Sequence, residues 1–278
     1  MKLLITGGSG MLARAVVSEL LRRGHEVDAP PRSELDIRDE AAICARILQM
    51  EPDAVIQCAA YTAVDLAEEQ EAEAFRVNAG ATAAAASACH KIGAALVYPS
   101  TDYVFSGESR RPYRPDDATD PVNAYGRSKL AGEAAAKEAG RWLVVRTSWL
   151  YGAGGRNFVD TIRTLAGERD RLEVVDDQVG RPTWTGTVAK VMVELVMRRA
   201  EGVVHVTDQG EPVSWFGVAR EIVERIGAQA EVVAVTSERF PRPARRPGYS
   251  VLDCSGAEGM LGEALPEWRG VLAGYLAS

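Results

Sequence analysis

Leu3-Leu4-Ile5-Thr6-Gly7-Gly8-Ser9-Gly10-Met11-Leu12 is the stretch on which the fold turns. Its first residues make a short apolar strand that the glycines stop. Met11, Leu12, Ala15, Val16, Leu20 and Leu21 then recur at helical spacing until Gly24. Strand, glycine turn and helix in that order open a dinucleotide-binding βαβ unit. Gly7 and Gly10 let the backbone approach a pyrophosphate, whose charge suits the free amides of a helix N-terminus. The G-x-x-G-x-x-G spacing is incomplete, because Ala13 stands at the third glycine. An alanine methyl still permits close packing of helix on strand.

Reading outward, residues 25–29 form a second strand that runs into Pro30-Pro31-Arg32. An acidic residue at that strand end would hold the ribose hydroxyl of NAD. Arg32 suits a 2'-phosphate instead, so NADPH is the expected cofactor, with NADH left open. Asp36 is placed either to approach the adenine or to cap the helix that spans about 40–49. A third strand over 53–58 ends in the small residues Ala59 and Ala60 before Tyr61 and Thr62, which suits close passage of a cofactor. Residues 64–90 read as helical and alanine-rich, and a fourth strand over 94–98 leads to Ser100 and Thr101. Residues 106–123 read as a polar loop able to cover a substrate, and 143–146 as a fifth strand. Five alternations of strand and helix imply a parallel sheet covered on both faces, with ligands past the strand carboxyl ends.

Beyond Arg146 the rhythm breaks. The expected architecture is α/β: a Rossmann-like doubly wound parallel sheet with a smaller mixed α/β C-terminal substrate lobe. Residues 1–146 make the dinucleotide-binding part, completed by about 185–207, and residues 147–184 and 208–278 make the lobe.

Composition narrows the function. The chain of 278 residues is 46% hydrophobic and 26% charged, ordinary for a globular protein, and its formal charge of -7 argues against a nucleic-acid surface. Cys44, Cys58, Cys89 and Cys254 are scattered, which suits reduced buried thiols in the cytoplasm and no zinc site. His25, His90 and His205 form no ligand cluster and read as structural or solvent-facing. No apolar stretch approaches membrane-spanning length, so no membrane partner is expected.

The chemistry points to Tyr125-Gly126-Arg127-Ser128-Lys129. Residues four apart share a helical face, so Tyr125 and Lys129 address one spot. An ammonium beside a phenol favours the phenolate and lowers its pKa. Such a pair donates a proton to a carbonyl oxygen that gains charge as hydride arrives. Arg181 in Gly180-Arg181-Pro182 is either part of a turn or a bidentate partner for a diphosphate. The arginines at 242, 245 and 246 read as a solvated loop, or as further help for that diphosphate.

With the glycine turn, Ser100-Thr101 and Tyr125-x-x-x-Lys129 in order, the chain resembles the extended short-chain dehydrogenase/reductase superfamily. Ser100-Thr101-Asp102-Tyr103-Val104-Phe105, Asn123-Ala124-Tyr125, Arg146-Thr147-Ser148-Trp149-Leu150-Tyr151-Gly152, Asp176-Asp177-Gln178-x-Gly180-Arg181-Pro182-Thr183 and Val251-Leu252-Asp253-Cys254 resemble, within it, the dTDP-4-dehydrorhamnose reductase family. The resemblance implies NAD(P)H-dependent reduction of the 4-keto group of dTDP-4-dehydro-6-deoxy-L-mannose to dTDP-L-rhamnose. It implies Tyr125 as proton donor, Lys129 as its modulator and ribose ligand, and Thr101 as the group that orients the substrate oxygen. By the same matching, Trp149 and Asp102 meet the substrate. Gly10, Met11, Leu12, Asp36, Ile37, Ala60, Tyr61 and Thr62 meet the cofactor.

The chain also departs from the family pattern. Tyr61 stands where many members carry His, and Pro31 where an acidic residue is common. Arg14 replaces an acidic residue linked to a magnesium-bridged dimer, so no metal is expected, and a homodimer stays open. Thr101-Asp102-Tyr103 lacks the glutamate of the sugar-nucleotide dehydratases. The alternatives kept are a 4-ketoreductase acting on another dTDP-4-keto-6-deoxysugar and a non-catalytic NADP-binding regulatory subunit.

Overall fold

A computed structural model describes all 278 residues. In chain order the elements are β1 Lys2–Thr6, α1 Met11–Arg22, β2 Glu26–Asp28, α2 Glu40–Met50, β3 Ala54–Gln57, α3 Glu71–Phe75, α4 Ala81–Ile92, β4 Ala95–Thr101, α5 Ala124–Ala136 and β5 Arg141–Thr147. There follow β6 Leu150–Tyr151, α6 Phe158–Glu168, β7 Arg171–Val175, β8 Val179–Gly180, β9 Thr183–Trp184, α7 Thr185–Met197, β10 Gly202–His205, β11 Val213–Ser214, α8 Trp215–Arg225, β12 Glu231–Val235, α9 Ser255–Leu261 and α10 Trp268–Leu276.

Six strands form one parallel sheet in the order β2-β1-β3-β4-β5-β10. The order reverses at β1, so a crevice opens between the carboxyl ends of β1 and β3, where open α/β sheets bind ligands. Strand periodicity builds the two faces. Leu3, Ile5, Ile56, Val97, Leu143 and Val145 point to one face and pack with Val16 and Leu20 of α1 and Val188 to Val196 of α7. Leu4, Val55, Leu96, Tyr98 and Val144 point to the other and pack on Ile43 and Ile47 of α2 and the alanines of α4. Burial on both faces explains why these strands read as continuous apolar runs. The doubly wound sheet expected from the sequence is the one observed.

A third core joins Tyr151, Ile162, Leu172, Val174, Ile222, Trp268 and Leu272, where β7 and β12 pair in parallel beneath α6, α8 and α10. Three expectations need correction. The residues between 176 and 184 are no plain loop, because β8 pairs with β11 and β9 with β6. Helix α9 lies where no helix was expected, since Gly256 and Gly259 break its apolar pattern. Asp36 does not cap α2; Asp39 does, accepting from the amide of Ala42 at 3.0 Å. The polar loop ahead of α5 is pinned at Tyr113, which stacks on Phe105 at 4.2 Å and is bridged to Leu252. No helix is long and apolar enough to cross a membrane.

Candidate active site

The β1–β3 crevice opens into a cavity of about 900 Å³. Gly7, Gly10, Met11 and Leu12 line it from the first turn of α1, and Arg32, Asp36 and Ile37 from the segment after β2. Ala59, Ala60, Tyr61 and Thr62 line it from the end of β3, and Tyr125 and Lys129 from α5. Residues drawn from four separate stretches of sequence thus share one wall. The turn is sterically exacting at Gly8, whose amide donates to Pro30 O at 3.1 Å; a methyl there would lie 2.1 Å from the carbonyl oxygen of Ala29. Ala13 is fully buried against the sheet, so its methyl fits where the third glycine is usual.

The cavity fits a nicotinamide dinucleotide. Gly10 precedes α1 without any side-chain cap, so the first amides of that helix keep no side-chain partner on the cavity side. Arg32 and the unforeseen Arg38 and Arg156 bring guanidinium groups to its wall. Arg32 and Arg38 both reach Asp36, at 3.4 and 3.0 Å, and this pairing holds the Asp36 carboxyl well below the usual range. Arg156 sits on the glycine-containing loop between β6 and α6, and only the fold brings that loop against α1, where a methyl on Gly155 would lie 3.2 Å from Met11 Cβ.

Asn123 caps α5 by accepting from the amide of Gly126 at 2.8 Å, which aims Tyr125 and Lys129 at the cavity. Lys129 is buried; its ammonium nitrogen donates to Pro99 O at 2.7 Å and lies 3.9 Å from the centre of the Tyr98 ring. Burial pulls Lys129 down to about 7, and Glu133 one turn on holds it up. Tyr125 goes the opposite way from the sequence expectation. Desolvation, with Asp102 adding to it, pushes the phenol above its ordinary value, and no lowering by Lys129 offsets this. In a dry wall both members of the pair favour their neutral forms. A phenol that stays protonated is the form a proton donor needs.

Asn78 supports this wall from a π-helical turn at Arg76–Gly80, between α3 and α4. Its side chain accepts from the amide of Tyr61 at 2.8 Å and donates to Ser128 Oγ at 2.9 Å. Its carbonyl accepts from the Tyr98 hydroxyl at 3.0 Å. A π turn displaces one carbonyl from the helical ladder, which makes this third contact available and which a residue pattern does not reveal.

Four expected residues stand off the cavity wall. Thr101 ends β4 beside Thr147, itself on the wall, and Asp102 is buried behind it. Trp149 adopts φ +49°, a rare conformation for a bulky residue, and stacks on Trp215 at 3.6 Å. Gly180 allows this, since a methyl there would lie 2.6 Å from the indole. Arg181 is committed elsewhere: it donates to Gly210 O at 2.9 Å, Gln209 Oε1 at 3.0 Å and Leu252 O at 3.2 Å, so it braces the chain rather than facing the cavity. Nor is the 242–246 segment simply solvated, because half-buried Arg246 pairs with Asp65 at 3.0 Å.

A doubly wound sheet with a glycine turn and a Tyr-x-x-x-Lys pair on one cavity defines a nicotinamide-dependent oxidoreductase of the short-chain dehydrogenase/reductase class. The chain belongs to a particular family within it, that of the RmlD substrate binding domain, whose model matches residues 1–278. It is 43% identical over 277 residues to a dTDP-4-dehydrorhamnose reductase of Streptomyces griseus, covering 97% of this chain and 91% of that one. A crystal structure of such a reductase from Clostridium acetobutylicum is 40% identical and superposes with a TM-score of 0.96, covering 100% of this chain and 99% of the other. One from Bacillus anthracis, in complex with NADP, is 35% identical with a TM-score of 0.95 over 100% of this chain and 99% of that one.

Proposed function

We propose that the protein reduces the 4-keto group of dTDP-4-dehydro-6-deoxy-L-mannose to give dTDP-L-rhamnose, with NADPH as reductant. The observation that carries the reading is the convergence of Tyr125 and Lys129 on the cavity that also receives the uncapped start of α1. Membership of the family and the likeness to dTDP-4-dehydrorhamnose reductases, one of them holding NADP, support both substrate and cofactor. Bound NADPH supplies the hydride that the sugar C4 accepts.

The chain's own part is to place charge and a proton. The first turn of α1 and Arg156 meet the pyrophosphate, and Arg32 with Arg38 the 2'-phosphate. Lys129 holds the nicotinamide ribose. Tyr125 gives its phenolic proton to the keto oxygen as the C4–H bond forms, and Lys129 stabilises the phenolate left behind. Thr101 orients the keto oxygen. The C-terminal lobe around Trp149 takes the nucleotide sugar. The same reading has the enzyme in the cytoplasm, in keeping with four unpaired cysteines. The reading leaves open whether two copies pair, and sedimentation equilibrium decides that point.

Mixing the purified protein with NADPH and the dTDP-4-keto sugar is expected to consume NADPH in step with formation of dTDP-L-rhamnose, identified by mass and NMR. No NADPH consumption with any of a panel of dTDP-4-keto sugars overturns the reading. Arg156→Ala is expected to raise KM for NADPH about fivefold to tenfold with little change in kcat, the loss of one exposed charge-assisted contact. Arg38→Ala is expected to narrow the preference for NADPH over NADH, measured as the ratio of the two kcat/KM values.

A further inference from the structure

Six buried side-chain atoms of the protein have no hydrogen-bond partner within it, and Thr147 Oγ1 is the one whose residue lines the cavity. Thr147 is the last residue of β5 and is 4% exposed. A buried hydroxyl with nothing to bond is unfavourable until a partner meets it. Its polar neighbours on the wall are already engaged. Ser100, on the adjoining strand β4, donates to Glu133 Oε1 at 2.5 Å, and Lys129 donates to Pro99 O at 2.7 Å. The partner for Thr147 therefore comes from whatever fills the cavity.

The place of Thr147 in the sheet fixes which part of a ligand it meets. Arg32 and Arg38 follow β2, the glycine turn follows β1, and Thr147 closes β5. Four strand spacings separate β2 from β5 in the order β2-β1-β3-β4-β5, a reach of about 19 Å. A dinucleotide laid along the strand ends, with its 2'-phosphate at the arginines and its pyrophosphate at α1, brings its nicotinamide to β4 and β5. There Cys58, Pro99 and Leu150 give the cavity an apolar floor for a flat ring. We propose that Thr147 binds the carboxamide of the nicotinamide through Oγ1 and so fixes the rotation of the ring relative to Tyr125. The inference rests on the cofactor reading given above. A threonine hydroxyl carries one proton and two lone pairs, and a carboxamide offers both an N–H donor and a carbonyl acceptor, so the two match in either sense. A sugar hydroxyl fits the place less well, because Asp102 and Trp149, the residues matched to the sugar, stand off this cavity.

The test compares two ligands by calorimetric titration of the free protein. NADPH carries the carboxamide; adenosine 2',5'-bisphosphate keeps the 2'-phosphate end and lacks the nicotinamide. Thr147→Val keeps the branched side chain that suits a strand and removes only a hydroxyl that has no partner in the protein. It is expected to weaken NADPH about tenfold, to leave the bisphosphate within twofold of wild type, and not to lower Tm. Thr147→Ser restores the hydroxyl and is expected to recover most of the NADPH affinity. Equal weakening of both ligands overturns the proposal, because a merely structural residue does not tell them apart. Unchanged NADPH affinity also overturns it, and a raised KM for the keto sugar in that case moves the hydroxyl to the substrate side. A second readout serves even if the valine variant does not fold. With threonine methyl groups labelled with carbon-13, the wild-type signal that Thr147→Ser removes is expected to shift with NADPH and to stay in place with the bisphosphate. A signal that moves with neither ligand, or with both alike, overturns the proposal. Binding is read without turnover, so a failed reductase reading shows as NADPH bound but not consumed. A failed cofactor reading shows as a wild type that binds neither ligand, and the proposal falls with it.

Discussion

Tyr125→Phe is expected to lower kcat at least a hundredfold while leaving NADPH binding and the fold intact. General acid catalysis by a placed side chain contributes on the order of a hundredfold to ten-thousandfold, and the phenolic proton is the group removed. The structure explains why binding survives. The Tyr125 ring packs edge-on against Tyr103 with centroids 5.9 Å apart, a contact that phenylalanine keeps. Helix α5 retains its Asn123 cap, and Lys129 retains its hydrogen bond to Pro99 O at 2.7 Å. The loss therefore falls on kcat. Stopped-flow absorbance gives the chemical step and fluorescence titration the NADPH affinity. A kcat within about tenfold of wild type shows that another group supplies the proton. Because burial raises the Tyr125 phenol, the wild-type donor stays protonated through neutral pH, and a loss of activity as pH rises through about 7 is expected to follow Lys129 as it gives up its charge.

The contrast between these residues shows what a sequence can disclose. The glycine turn and the Tyr125–Lys129 pair are each set by a few adjacent residues, and the rule that open parallel sheets bind ligands past their carboxyl ends brings the two to one rim. The two faces of the sheet are legible for the same reason, since Leu3 and Leu4 differ only by the alternation of a strand. What escaped reading depends on contacts distant in sequence. Arg181 looks like a ligand for phosphate until its partners at Gly210 and Leu252 are seen. Arg246 looks solvated until Asp65, far back in the chain, takes it up. Asp102 reads as a sugar-facing acid, yet it is buried behind Thr101, and burial raises its carboxyl to about 7 against the lowering pull of Ser250 and Thr101. The sign of the Tyr125 shift failed likewise, because proximity to a cation is visible in spacing and dehydration is not.

Arg146→Met is expected to destabilise the protein by about 3–5 kcal/mol, and adding Glu133→Leu is expected to restore most of that loss. Arg146 on β5 and Glu133 on α5 are both buried, with side chains 5% and 4% exposed. The guanidinium holds the carboxylate through two bonds, at 2.9 and 2.8 Å. Ser100 donates to the same carboxylate at 2.5 Å, and Arg146 also donates to Pro115 O at 3.1 Å. Methionine fills the space but leaves Glu133 charged in a dry interior, and the energy of an unpaired buried charge exceeds the net contribution of the pair. At roughly 2–4 °C per kcal/mol for a chain of this size, the single substitution lowers Tm by about 10 °C. Calorimetry of wild type, single and double variants tests this, and a double variant no more stable than the single one shows that the network, not the stranded charge, sets the loss. The pair also bears on the chemistry, because Glu133 holds Lys129 up against desolvation. Removing that carboxylate pulls Lys129 further down, so the folded double variant is expected to lose activity at lower pH than the wild type. An unchanged alkaline limb means that Glu133 acts on the fold alone, with the charge on Lys129 set by the cavity and its occupants.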